Sequence, residues 1–207
     1  MSIMQTINKK ILSRIYGRGR GWAFSPNDLV GDFSRKQVDN ALSDLATEGT
    51  IRRICRGMYD YPKYSELLGQ QLSPDIDQVA HAFARKFNWR IQPSGDAALN
   101  LLGLSTQVPG KYVYLSDGPS KAYSIGNRSL EFKKTTLKEA GFKYRQSGLI
   151  VQALKALGSE RVTSSVIEKI RSELDTELRS KILKDTKKVY SWIYALMTEI
   201  CREGDHG

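Results

Sequence analysis

The chain has 207 residues, 40% hydrophobic and 26% charged, with a net charge of +10 at pH 7 and a pI near 9.6. That is a globular composition, long enough for two ordinary domains or one large one, and its basic balance favours a polyanionic partner. Cys55 and Cys201 lie far apart and in no metal-ligand spacing, which excludes a disulfide-stapled secreted scaffold. No apolar run approaches the length of a membrane span. Met1 to Tyr16 is interrupted by Gln5, Asn8, Lys9 and Lys10 where a signal peptide needs its apolar segment. A cytoplasmic protein with no membrane partner is expected.

Ile3, Ile7, Ile11 and Ile15 recur at four-residue spacing and predict an amphipathic helix over about Ser2 to Tyr16. Gly17-Arg18-Gly19-Arg20-Gly21 is too glycine-rich for regular structure. Its two arginines are either backbone-clamping groups or ordinary solvated connectors. Trp22, Ala23 and Phe24 form a short apolar piece able to pair as a third strand with a later hairpin. Ser25-Pro26-Asn27-Asp28 starts a helix that runs only to about Val30, because Gly31-Asp32-Phe33 follows. Ser34-Arg35-Lys36-Gln37 is a second capping box, so two helices meet across a turn of about three residues.

In the second helix Val38, Ala41, Leu42 and Leu45 commit one face to a core. The opposite face is centred on Lys36, Asn40 and Ser43, with Arg35, Gln37 and Asp39 on its shoulders. Lys can reach guanine acceptors and Asn can pair bidentately with adenine, which makes Lys36, Gln37, Asn40 and Ser43 the base-reading candidates. Gly49 ends the helix. Thr50 to Ile54 and Met58 to Tyr61 are strands about a Cys55-Arg56-Gly57 turn, stopped by Pro62. The pattern is that of a winged helix-turn-helix, with Arg18, Arg20, Ser34, Arg35, Arg52, Arg53 and Arg56 as the groups that would hold a DNA backbone. The rival is a packing unit with a solvated helix face and a hairpin that binds nothing.

Tyr64 to Leu72 is expected to be a linker helix. Ser73-Pro74-Asp75 starts another, with Ile76, Val79, Ala80, Phe83 and Phe87 on one face and an end near Asn88. Trp89 to Gln92 is a strand stopped by Pro93, and Ser94-Gly95-Asp96 caps a short helix from Ala97 to Leu102. Lys111 to Leu115, Tyr123 to Ile125 and Leu130 to Lys133 are further strands, the last two about Gly126-Asn127. From Leu149 the pattern is helical to Ile200. Within it Arg179, Lys181, Lys184, Lys187 and Lys188 stand against Asp185 alone, a solvated face or an extension of a nucleic-acid surface.

The fold class is therefore α+β: an N-terminal winged helix-turn-helix domain over 1–62, a linker over 63–72, a small mixed sheet with helices over 73–145, and a helical region over 146–207. Glu131-Phe132-Lys133, with Asp75 or Asp96 upstream, resembles a metal-dependent nuclease signature, but a three-residue match is weak and capping explains Asp75. No catalytic set, metal site or cofactor is expected, and a binding protein is the better assignment.

Arg56-Gly57-Met58-Tyr59-Asp60-Tyr61-Pro62 resembles the close of the winged domain in AbiEi-type antitoxins of abortive-infection toxin-antitoxin systems. Residues 94–109, from Ser94-Gly95-Asp96 to Val108-Pro109, and then Tyr114 to Ser120, are similar to the next domain of that family, in its order and spacing. The resemblance covers roughly the first two thirds of the chain. It implies a phage-defence antitoxin whose winged domain binds repeats in its own promoter and represses it. The remainder would counteract a nucleotidyltransferase toxin, in a family described as neutralising without a stable complex. A protein-interaction module that covers a toxin directly is the alternative.

Overall fold

The computed structural model describes residues 3–136 and 141–202, with side chains from residue 7; Ser2, within the first expected helix, lies outside the described residues. The architecture is α+β. The chain divides into two compact units, Met1–Trp89 with Ser124–Asn127, and Arg90–Tyr123 with Arg128–Gly207.

The first unit begins with α1 (Ile3–Arg18), followed by β1 (Ala23–Phe24), a 3-10 turn (Pro26–Asp28) and α2 (Arg35–Thr47). A hairpin of β2 (Arg52–Cys55) and β3 (Met58–Asp60) completes a three-stranded antiparallel sheet in the order β1-β3-β2. Ile11 and Ile15 of α1 pack with Val38, Ala41, Leu42 and Leu45 of α2 and with Phe24, Leu29 and Ile51. Each large side chain buried this fully stabilises the unit by about 1.5–3 kcal/mol. The helix expected to run to Val30 is only the three-residue 3-10 turn. Too few residues separate Pro26 from Gly31 for an i→i−4 ladder to propagate, and the Asp28 carboxylate instead closes back on the Ser25 N–H (2.8 Å) and hydroxyl (3.1 Å).

The linker expected to be helical is a second hairpin, β4 (Tyr64–Ser65) and β5 (Gln70–Gln71), closed by the Leu72 N–H on the Lys63 carbonyl (2.8 Å). Gly69 has φ +61°, and Leu67 and Leu68 are 94% and 60% exposed, so a helix over this stretch would have no buried face to stabilise it. Next, α3 (Ile76–Phe87) is capped by the Asp75 carboxylate and packs on β1, β3 and the 3-10 turn. The boundary expected before Ser73 therefore falls after Trp89, because α3 covers the sheet of the first unit.

The second unit is built on a mixed four-stranded sheet in the order β6-β7-β9-β8: β6 (Ile91–Ser94), β7 (Lys111–Ser116), β8 (Lys121–Ile125) and β9 (Arg128–Lys134). β7 runs antiparallel to β6 and parallel to β9. Pro93, expected to stop β6, lies inside it, which an edge strand with one free side tolerates. Trp89 is not in the strand: Asn88 takes the left-handed conformation (φ 56°) and Trp89 donates to the Ala84 carbonyl, closing α3.

Short α4 (Asp96–Leu101) and long α5 (Arg145–Leu157) pack on β6 and on each other. The chain continues with α6 (Ser164–Ser172), α7 (Thr176–Asp185) and α8 (Ser191–Cys201). Ile150 and Leu154 of α5, Ile170 of α6, Ile182 of α7 and Ile193 and Met197 of α8 share one buried cluster. The separate helical region expected from residue 146 is thus part of the sheet's own unit, joined to it through α5.

Candidate nucleic-acid interface

Ser34 and Gln37 fix the start of α2: the Gln37 N–H donates to Ser34 Oγ (3.3 Å) and the Ser34 N–H to Gln37 Oε1 (2.8 Å). Both were expected on DNA; the cap uses Ser34 Oγ and Gln37 Oε1 as acceptors and leaves the Ser34 hydroxyl hydrogen and the Gln37 Nε2 as donors on an exposed surface. Lys36, Asn40 and Ser43 are exposed on the face opposite the buried Val38–Leu45 stripe, and the described residues supply no side-chain hydrogen bond or ion pair to any of them. Arg35 is tied down. Its Nε donates to both Asp39 carboxylate oxygens (3.0 Å each) and its Nη1 to Asn27 Oδ1 (2.8 Å).

The remaining arginines expected to contact the DNA backbone separate into three kinds. Arg52 is a strut: Nε and Nη2 grip the Asp60 carboxylate at 3.0 and 2.6 Å, and Nη1 donates to the Leu72 carbonyl at 2.9 Å. With all three nitrogens engaged and the side chain only 27% exposed, Arg52 braces the fold, a role that the sequence, which placed it on the DNA backbone, did not suggest. Arg53, on β2, and Arg56, in the β2–β3 turn itself, are exposed, and Gly57 beside Arg56 has φ +69°. Arg18 and Arg20 lie at the other end of the sheet. There Gly21 and Trp22 bond to Tyr61, the Arg20 guanidinium sits 4.6 Å from the Tyr61 ring centroid, and Arg18 is 5.7 Å from that of Trp22. The four residue steps from Gly57 to Tyr61 put roughly 13 Å between the two groups.

Consecutive residues of α3 touch the 3-10 turn and the β2–β3 turn, and Arg35 ties the first turn of α2 to Asn27 of that 3-10 turn. Arg85 Nε donates to Asp28 Oδ1 (2.7 Å) and its Nη2 to the Ala23 carbonyl (2.8 Å); Lys86 Nζ donates to the Gly57 carbonyl (3.4 Å). Lys86 thus joins Arg53 and Arg56 as a third cation at the turn. Sequence reasoning missed it, since a basic residue in the last turn of a helix is ordinarily a partner for the helix dipole.

Burial shapes the chemistry of two groups here. It raises the Cys55 thiol pKa against the opposing pull of Lys86 and Arg53. It also raises the Asp60 pKa, more than the Arg52 hydrogen bonds and charge lower it. For the nuclease signature, Glu131 is ion-paired to Lys111 (2.7 Å) and Asp75 is occupied as a helix cap. Among the described residues no three His, Cys, Asp or Glu side chains are grouped as a metal would require, and no helix is long and apolar enough to cross a membrane.

These features define an α+β chain whose first unit presents an exposed polar helix face beside a cationic hairpin turn. The chain belongs to the family described as "Family of unknown function (DUF6088)", whose model matches residues 10–182. No curated protein matches it. Among solved structures it is similar to that titled "Crystal structure of RV2827C protein from Mycobacterium tuberculosis", at 12% identity and a TM-score of 0.40, covering 95% of this chain and 76% of that one.

Proposed function

We propose that the chain is a sequence-specific, double-stranded-DNA-binding transcriptional repressor acting in the cytoplasm, and that its first unit works as a winged helix-turn-helix. In this reading the 3-10 turn stands for the first helix, α2 enters the major groove and the β2–β3 hairpin is the wing. One observation carries it: Lys36, Asn40 and Ser43 project from α2 with no side-chain partner among the described residues, and the first turn of that helix is tied through Arg35, the 3-10 turn and α3 to the hairpin turn where Arg53, Arg56 and Lys86 stand. Lys36 would reach guanine O6 and N7, Asn40 would pair with adenine, and the three cations would hold phosphates. Arg18 and Arg20, at the far end of the sheet, would meet the backbone outside that stretch. The resemblance to AbiEi-type antitoxins supports the chain's own promoter repeats as operator and a nucleotidyltransferase toxin as the activity opposed.

The test is fluorescence anisotropy with the DNA upstream of the chain's own reading frame. Asn40→Ala should erode discrimination between operator and scrambled duplex by about 1–3 kcal/mol. Arg56→Ala should weaken both duplexes alike and reduce the salt slope by roughly one unit. Parent-like binding by both variants rejects the groove assignment. A second reading, direct contact with a toxin, is favoured by the β4–β5 hairpin, where Tyr64, Leu67 and Leu68 are 52%, 94% and 60% exposed. Co-purification with the neighbouring gene product, lost on Leu67→Asp, would support it.

A further inference from the structure

We propose that the second unit carries its own sequence-independent binding site for a nucleic-acid phosphodiester backbone, at the corner between α7 and α8. The basic run Arg179 to Lys188 is legible in the sequence, but the fold adds two things to it. First, it engages the one acid within the run away from the lysines' ammoniums: the Asp185 carboxylate accepts from the backbone N–H groups of Lys143 (3.2 Å) and Tyr144 (3.1 Å), just before α5. Second, those bonds hold Lys143 at the Asp185 end of the connection to α8, and Lys155 of α5 stands at its Tyr190 end, its Nζ 5.2 Å from the Tyr190 ring centroid. Cations from three separate stretches of chain therefore line the connection from α7 to α8, with Lys143 and Lys155 about 18 Å apart at the two ends of α5.

Lys143, Lys181, Lys184, Lys187 and Lys188 are all exposed, and none forms an ion pair among the described residues. Elsewhere in the same unit lysines do find carboxylates: Lys111 pairs with Glu131 at 2.7 Å and Lys169 with Glu173 at 2.9 Å. Lysine ammoniums are point charges without the planar fork of arginine, so they suit contacts that follow a charged backbone without regard to sequence. Tyr190, 62% exposed beside them, offers a ring on which a base can stack. A cationic track with an exposed aromatic ring matches a nucleic-acid strand better than an acidic protein, which would leave the ring without a partner of its own kind.

The test uses the full chain, a mixed-sequence single-stranded oligonucleotide of about 20 nucleotides, and a scrambled duplex of the same length, each titrated across a salt series. Lys184→Gln, Lys187→Gln and Lys188→Gln are combined in one variant; all three side chains are exposed, and an unchanged melting temperature confirms the fold. The triple variant should lose about tenfold or more in affinity at low salt, and its slope of log Kd against log salt should fall by about two units. Loss on the single strand, deepened by Tyr190→Ala, identifies a single strand as the source of the phosphates; loss on the duplex alone identifies duplex. Parent-like affinity and slope on both probes overturns the proposal. So does displacement of either probe by poly-glutamate as effectively as by unlabelled DNA, which would assign the corner to acidic protein. Asn40→Ala and Arg56→Ala, measured beside it, report on the first unit alone, so the two proposals fail independently.

Discussion

Replacing Arg52 by Ala separates a folding role from a binding role within one hairpin. Asp60 is 2% exposed and its carboxylate is held by Arg52 through two hydrogen bonds, while the third guanidinium nitrogen anchors the Leu72 carbonyl at the end of the β4–β5 hairpin. Removing one partner of a buried pair leaves the other charge uncompensated, typically a loss of about 3–5 kcal/mol. Arg52 is itself 27% exposed, so water partly replaces it, and a loss of about 2–4 kcal/mol is expected. That is a large share of a domain's usual stability of roughly 5–15 kcal/mol. Urea unfolding followed by the fluorescence of Trp22, in the same unit, measures it, and anisotropy under folding conditions measures DNA binding. Arg52→Ala should lose stability and keep the parent salt slope, whereas Arg56→Ala should do the reverse. An Arg52→Ala protein within about 1 kcal/mol of the parent, with its salt slope down by one unit, would refute the strut and return Arg52 to the DNA surface.

Asp60 also predicts a pH dependence. Its folded pKa lies above the ordinary carboxylate value because of burial, so its contribution to stability is complete below the unfolded value and is lost as pH rises through the folded one. Urea midpoints of the parent and Asp60→Asn, compared in steps across that window, should shift in the parent's favour on acidification. Gly148→Ala should destabilise the second unit by about 1–2 kcal/mol net. Its Cβ would meet the Gln92 amide, which is only 4% exposed and boxed in, and this outweighs the roughly 1 kcal/mol that Ala gains over Gly in a helix. Adding Gln92→Ala should restore the melting temperature. The Cys55 thiol, raised by burial, should react with iodoacetamide more slowly at pH 7 than an open thiol and accelerate only at higher pH, as a rate profile would record.

What the sequence revealed and what it hid divide along a physical line. Caps and apolar periodicity are local, and they located α2 closely: Ser34 and Gln37 cap each other, and Val38, Ala41, Leu42 and Leu45 are buried as their spacing required. The third-strand role of Ala23 and Phe24 was legible for the same reason, as a short apolar piece near a hairpin in need of an edge. The failures are cases where a distant partner decides. A helix over Tyr64 to Leu72 would need a covered face; Leu67 and Leu68 stay 94% and 60% exposed, and Gly69 turns the chain into a hairpin. Arg52 looks identical to Arg53 and Arg56 in the sequence. Its role is set by register, which places it opposite Asp60, buried on the neighbouring strand. Lys86 shows the same principle in reverse, since only the packing of α3 on the sheet carries its ammonium to Gly57, 29 residues away in the chain. Charge type can be read from a linear sequence, but whether a cation is free to meet a phosphate depends on which carboxylates the fold brings to it. For this chain that distinction narrows the candidate wing from three arginines to Arg53 and Arg56, and adds one lysine.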